Sequence, residues 1–334
     1  MKSFLSIDDQ IQRLQQRNVI ISNTEIAKQY LTLNNYYNVI NSCARDFLRK
    51  DTISDEYLDG TTFEEIIAIH KFENELKHDI LEYLLLIEKH LKSTIAHAFC
   101  SKHSDLYACL SKDSYNFNQS NMLNIAKTIE ILAKNITEQI NQKIPNPIKH
   151  YAKDHQDVPM YVLINELTFG NVVYLFKIMQ HAERAEIINI FNSIMFACKY
   201  TANNSIMCEN LNDSSSKIFP NDFDKMLDNL LNLRNTTAHN SSLFTFKCRG
   251  NISYIKSLHE RFNIAADAPK QDLYNIIITF ACFLPKNDFK KLYNSILKRC
   301  KRLNQKLHTI SPNQIYIKLG FPIGFYGYPK IAQN

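Results

Sequence analysis

A chain of 334 residues is long enough for one large or two ordinary domains with a real core. Its 39 Lys and Arg against 33 Asp and Glu give a formal charge of +6, which favours an anionic partner only mildly. Six Gly, nine Pro and no Trp suit a helical protein and argue against low-complexity sequence. The eight cysteines (Cys43, Cys100, Cys109, Cys198, Cys208, Cys248, Cys282 and Cys300) are dispersed and form no Cys-x2-Cys pair. That spacing gives neither a zinc signature nor a small disulfide framework, so reduced and mostly buried thiols are expected. Asp8 and Asp9 precede any apolar core, which predicts no signal peptide, and the most apolar block, Leu84 to Ile87, is short and flanked by charge. The expectation is a cytoplasmic protein without membrane association and without cofactor or metal.

Taken in order, residues 6–17 and 24–48 read as two helices, the second starting at a Ser22-x-x-Glu25 capping box. Ile26, Ala27, Tyr30 and Leu31 are spaced to point inward, and Tyr36 and Tyr37 are expected to pack. A polar connector over 51–60 leads to overlapping capping boxes, Thr61-x-x-Glu64 and Thr62-x-x-Glu65. An apolar stripe then runs without Gly or Pro from Phe63 to Phe99, through Leu76, Ile80, Leu84, Ile87, Leu91 and Ile95. Lys92 and His97 on that stretch repeat a basic-x4-His interval, which Lys in place of Arg leaves without catalytic meaning.

A further helix is predicted over 121–143, ended by Pro145 and Pro147, with an exposed loop over 149–158. His150, Asp154 and His155 lack a third ligand at a fitting interval, so that loop reads as solvated and not as a metal site. Short helices are expected over 160–167 and 172–180, the latter capped by Asn171, followed by one over 185–200. Residues 203–217 are Asn- and Ser-rich and read as a connecting loop. Helices over 272–284 and 287–307 flank Pro285. The last of these is strongly basic (Lys290, Lys291, Lys298, Arg299, Lys301, Arg302), which could form an RNA-backbone surface or simply a solvated face. The tail from Ile315 to Tyr328 reads as an ordered strap or hairpin.

One stretch carries chemistry. Phe223, Met226, Leu227, Leu230 and Leu231 mark a buried helix face that runs into Arg234-Asn235-Thr236-Thr237-Ala238-His239. Thr236-Thr237 and the polar residues from Asn240 onward weaken helix propensity, so the helix is expected to end or bend near His239. Five residues turn a straight helix by about 140° beyond full turns, so the two side chains meet only if Arg234 reaches round or the backbone deviates. Arg234 suits a phosphate oxygen, and His239 can move a proton near neutral pH. Together they could cleave RNA without a metal. No Gly-rich phosphate loop, paired-carboxylate constellation or Ser-His-Asp order competes with this motif.

Arg-x4-His with Asn after the Arg resembles the signature of HEPN ribonucleases. More narrowly, the chain is similar to the Abi-like family of bacterial abortive-infection proteins, the AbiD/AbiF group. The resemblance extends from Asn35-Tyr36-Tyr37 through Gly60-Thr61-Thr62-Phe63, Phe72-Glu73-Asn74-Glu75-Leu76-Lys77 and Ile87-Glu88-Lys89-His90 to Glu166-Leu167-Thr168-Phe169-Gly170, the Arg-His stretch and Leu319-Gly320-Phe321-Pro322. Departures are Glu73, Lys77 and Lys92, where relatives often have Asp, Arg and Arg, and Asn240, where a second His is frequent. The resemblance implies an all-α, HEPN-like helical bundle with additional N- and C-terminal helices. It divides the chain into an N-terminal segment over 1–60, a core over 61–249 carrying the motif, and a basic extension over 250–334. It further implies a homodimeric, metal-independent endoribonuclease in phage defence that leaves a 2′,3′-cyclic phosphate, with a small non-coding RNA as a candidate regulator. In that scheme His239 is the general acid/base, Arg234 the phosphate stabiliser and Asn235 a polar orienter. A non-cleaving RNA-binding protein, or a toxin or sensor acting through a dimer interface, are the rival readings.

Overall fold

Every regular element is helical in this computed structural model, which describes residues 4–50, 55–197 and 214–331; strand-like pairing among them is limited to isolated bridges such as Ile20 with Thr62. The all-α expectation holds for the described residues. Helix α1 (Ile7–Gln16) starts on a reciprocal Ser6–Asp9 capping box and buries Ile11 and Leu14. Helix α2 (Thr24–Leu33) departs from expectation at both ends. Asn23, not Ser22, is the cap, its Oδ1 accepting the Ile26 N–H at 3.0 Å. The helix stops at Leu33 because Asn34 turns extended and folds its amide back onto the Tyr30 carbonyl at 2.9 Å. A π turn (Tyr37–Asn41) and a 3-10 turn (Arg45–Phe47) come next and bury Val39, Ile40 and Phe47. Ile26, expected inward, is exposed, while Ala27 and Leu31 make the buried contact.

Helix α3 (Phe63–Cys100) is the axis of the fold. Thr62 and Glu65 close a full capping box at its start, and Glu65 Oε1 also accepts the N–H groups of His308 and Thr309 at 2.7 and 2.8 Å. Its 38 residues run unbroken for about 57 Å, and Leu76, Ile80, Leu84, Ile87, Leu91 and Ile95 are fully buried along one stripe.

Helices α4 (Met122–Asn141), α5 (Pro147–Asp154), α6 (Met160–Leu163), α7 (Phe169–Ile178) and α8 (His181–Ala197) wrap its C-terminal half. The expected exposed loop over 149–158 is largely α5. Pro147 starts this helix at N1, where its missing N–H is harmless, and Asn146 caps it through Lys149 N–H at 2.9 Å. Thr168, rather than Asn171, caps α7, accepting the Asn171 N–H at 3.3 Å. The loop expected over 203–217 lies outside the described residues up to 213, and Ser214–Ser216 form a 3-10 turn.

Helices α9 (Pro220–Ala238), α10 (Lys256–His259), α11 (Leu273–Thr279), α12 (Lys286–Asn304) and α13 (Pro312–Lys318) complete the chain. The tail is thus a short helix followed by a 3-10 turn (Phe325–Gly327), a strap and not a hairpin. Phe176, Phe191, Phe223 and Phe283 form one aromatic cluster with centroids 5.0–5.6 Å apart, joining α7, α8 and α9 to the turn before α12. Both α9 and α12 run antiparallel to α3. His90 bonds the Phe283 carbonyl at 3.0 Å near their starts, whereas Asn240 and Arg299 meet Lys77 and Asp79 near their ends. The buried residues form one continuous cluster from Ile11 to Ile331, shared by all three segments of the chain. Among the described cysteines none is disulfide-bonded, and all but the half-buried Cys100 are buried. Burial pushes the Cys109 and Cys248 thiols up to about 12.

Candidate functional site

Helix α9 starts with Pro220 at its first turn and buries Phe223, Met226, Leu227, Leu230 and Leu233. The pair Thr236 and Thr237 turn their hydroxyls back onto the carbonyls of Asn232 and Leu233, each at 2.9 Å, which loosens the last turns. The helix ends at Ala238, and His239 is its C-cap (φ −88°, ψ 9°). Asn240 follows in the left-handed region (φ 54°). Its N–H donates to Thr237 O at 3.3 Å and that of Ser241 to Thr236 O at 3.0 Å, the two bonds of a Schellman stop. The expected helix end at His239 is therefore present, and Asn is the non-glycine residue that best tolerates the reversal.

Arg234 is half-buried. Its Nε is sealed from solvent without a hydrogen-bond partner, and no carboxylate pairs with its guanidinium among the described residues. Asn235 and His239 are exposed. A fixed cation left uncommitted, with a titratable imidazole at the open end of the same helix, is suited to a phosphate approaching from solvent.

The loop after His239 is gripped from beneath by two residues of α3 that the sequence marks only as family departures. Glu73 and Lys77 are buried at 2 % and 7 % exposure and pair at 3.5 Å, one helical turn apart. Lys77 Nζ donates to Asn240 Oδ1 at 3.0 Å and to the Asn240 carbonyl at 3.4 Å. Glu73 Oε1 accepts the Ser242 hydroxyl at 2.9 Å and the Leu243 N–H at 2.6 Å. Lys77 is thus spent on holding the site and is not offered to a ligand. A signal was present in the sequence: a Glu-x3-Lys pair beside the buried stripe of α3, where unpaired charge is costly.

The predicted RNA-binding residues divide into two groups. Arg299 is committed to α3, donating to both Asp79 oxygens at 2.6 and 2.7 Å and to Glu75 at 2.5 Å. Lys290 is 8 % exposed, packed beside the buried face of α12. Lys291, Lys298, Lys301 and Arg302 are exposed, with Lys291 near Asp288 at 3.3 Å. Elsewhere, Lys92 is paired with Glu88 at 3.0 Å, and His150 with Asp154 at 2.6 Å on α5. Among the described residues no group of three or more His, Cys, Asp or Glu side chains could hold a metal. No helix among them is long and apolar enough to cross a membrane.

The model of one protein family, described as Abi-like protein, matches residues 29–245, from within α2 to just beyond the residues that Glu73 grips. No curated protein and no solved structure gives a significant match. With the family match spanning more than half of its length, the chain belongs to the Abi-like protein family.

Proposed function

We propose that the chain is a metal-independent endoribonuclease of the HEPN class and the AbiD/AbiF group, acting in bacterial abortive infection against phage. The observation that carries this reading is the uncommitted Arg234, with its buried, unpartnered Nε, on the helix that ends at the exposed His239. In the reaction His239 takes the proton of a ribose 2′-hydroxyl. The 2′-oxygen attacks phosphorus, the P–O5′ bond breaks, and the 5′-oxygen leaves with a proton from His239 of the partner subunit in a homodimer. The products are a 2′,3′-cyclic phosphate and a 5′-hydroxyl. Arg234 holds a phosphate oxygen as charge grows there, and Asn235, exposed on the next position, orients it. The exposed cations Lys298, Lys301 and Arg302 supply a sequence-independent backbone surface. A small non-coding RNA bound there is the candidate restraint on activity.

Wild-type protein and the Arg234→Ala/His239→Ala variant, incubated with total RNA in EDTA, test this reading. Cleavage by wild-type alone is expected. His239→Ala by itself should lose about 10²–10⁴ in rate. Its melting should stay unchanged, because surface substitutions at exposed positions stay within about 0.5 kcal/mol. A discrete RNA held intact by both proteins would favour a non-cleaving RNA-binding protein.

A further inference from the structure

Directly beside the gripped loop lies a groove of about 800 Å³, most of whose lining residues carry polar side chains. It is lined by the π turn, which presents Tyr37, Asn38 and Asn41, with Arg45 just beyond it, by the loop Asn240–Ser242 continued to Lys247, and by the end of α13. A π turn is rare and costs regular hydrogen bonding, so its placement along a cavity is informative. Tyr37 is 63 % exposed, its ring unpacked, contrary to the expectation that it packs. Arg45 is exposed and without a partner among the described residues. Lys247 is exposed and makes no direct ion pair there. Lys318, the third cation, is occupied by Asp46 at 2.7 Å. The one carboxylate on the wall, Asp272, is turned to capping α11, accepting the Asn275 N–H and side-chain amide at 2.9 Å each.

We propose that this groove is the cradle for the single-stranded RNA flanking the cleaved bond, with Arg45 and Lys247 on successive phosphates, Tyr37 stacked on a base and Asn38 and Asn41 reading base edges. The inference rests on the nuclease reading, since it assigns the groove to that site's substrate. Two exposed cations (Arg45, and Lys247 with only the through-space attraction of Asp272), an open aromatic ring and paired amides are what a short strand needs: backbone neutralisation, a stacking face and edge donors and acceptors. Asn240 joins the two functions, because the residue held by Lys77 from below also lines the groove. Strand and His239 are thereby held by one loop.

The test uses full-length protein in the His239→Ala background, with fluorescein-labelled U6 and A6 hexanucleotides read by anisotropy. Arg45→Glu/Lys247→Glu should weaken binding at least tenfold and flatten log Kd against log salt by about 1.4, at roughly 0.7 per lost phosphate contact. Tyr37→Ala should cost about fivefold or more. Lys89→Glu, on another groove of α3, should change nothing. In the cleaving background the groove variants should raise KM and leave kcat nearly unchanged. Undiminished binding by the Arg45/Lys247 variant, or no hexamer binding at all, overturns the cradle. So does 5′-UMP binding as tightly as U6, which would make the groove a mononucleotide site. Hexamer binding lost in the groove variants while wild-type never cuts RNA upholds the cradle and defeats the nuclease reading instead.

Discussion

Replacing Lys77 by Met tests the grip on the Arg-His loop. The substitution keeps the aliphatic stem but removes the ammonium that answers Glu73, Asn240 Oδ1 and the Asn240 carbonyl. Glu73, only 2 % exposed, would then hold an unpaired buried carboxylate, and breaking a buried pair from one side typically costs about 3–5 kcal/mol. That is a large share of the roughly 5–15 kcal/mol that stabilises a folded protein. Removing both charges is the informative control. Glu73→Gln/Lys77→Met leaves the Gln carbonyl oxygen to accept from Ser242 and Leu243 and strands no charge, so it should be less destabilising than Lys77→Met alone. Urea unfolding followed by circular dichroism measures each variant. On the proposed nuclease reading, cleavage at low temperature, where Lys77→Met remains folded, should also fall, because the left-handed Asn240 that follows His239 is released. A Lys77→Met cost under about 1 kcal/mol, or a double variant weaker than either single one, would refute the account of the clamp.

Arg299→Met should cost about 3 kcal/mol or more in urea unfolding by stranding the 6 %-exposed Asp79, whereas Lys298→Ala should stay within about 0.5 kcal/mol. Gly320→Ala should cost about 2–4 kcal/mol in thermal or urea melts. Its backbone is left-handed (φ +78°), and an added Cβ would fall 2.0 Å from Asp272 Cγ, disturbing the cap of α11. His259 is fully buried and accepts the Ile255 N–H through Nδ1 at 2.8 Å, and burial lowers its pKa from 6.5 to about 3. The folded state therefore prefers the neutral ring. Its contribution is complete above pH 6.5 and is lost progressively as pH falls towards 3. Between pH 7.5 and 5 that amounts to about 2 kcal/mol, and His259→Gln should remove this part of the pH dependence.

Local signals make α3 readable from the sequence: a capping box whose two residues are three apart and an apolar stripe repeating every turn. The stop of α9 is readable for the same reason, since its Thr pair and polar continuation act within a turn or two of His239. Elsewhere, longer-range contacts compete with propensity and win. Residues 34–48 have helical spacing, yet burying Val39, Ile40 and Cys43 in the common core goes with a π turn and a 3-10 turn in place of a continued helix. Pro147 reads as a stop because proline ends and starts helices alike, and only the chain before it shows which.

The helical class, the central helix, and the Arg234–His239 interval at a helix end are all legible in the amino-acid order, because each rests on residues a few positions apart. Folding is needed to bring Glu73 and Lys77 under the loop beyond His239 and to commit Arg299 to Asp79 and Glu75. It is needed equally to gather Tyr37, Arg45 and Lys247 around one groove. These partners lie more than 160 positions apart, and a charge's role is set by what burial brings against it.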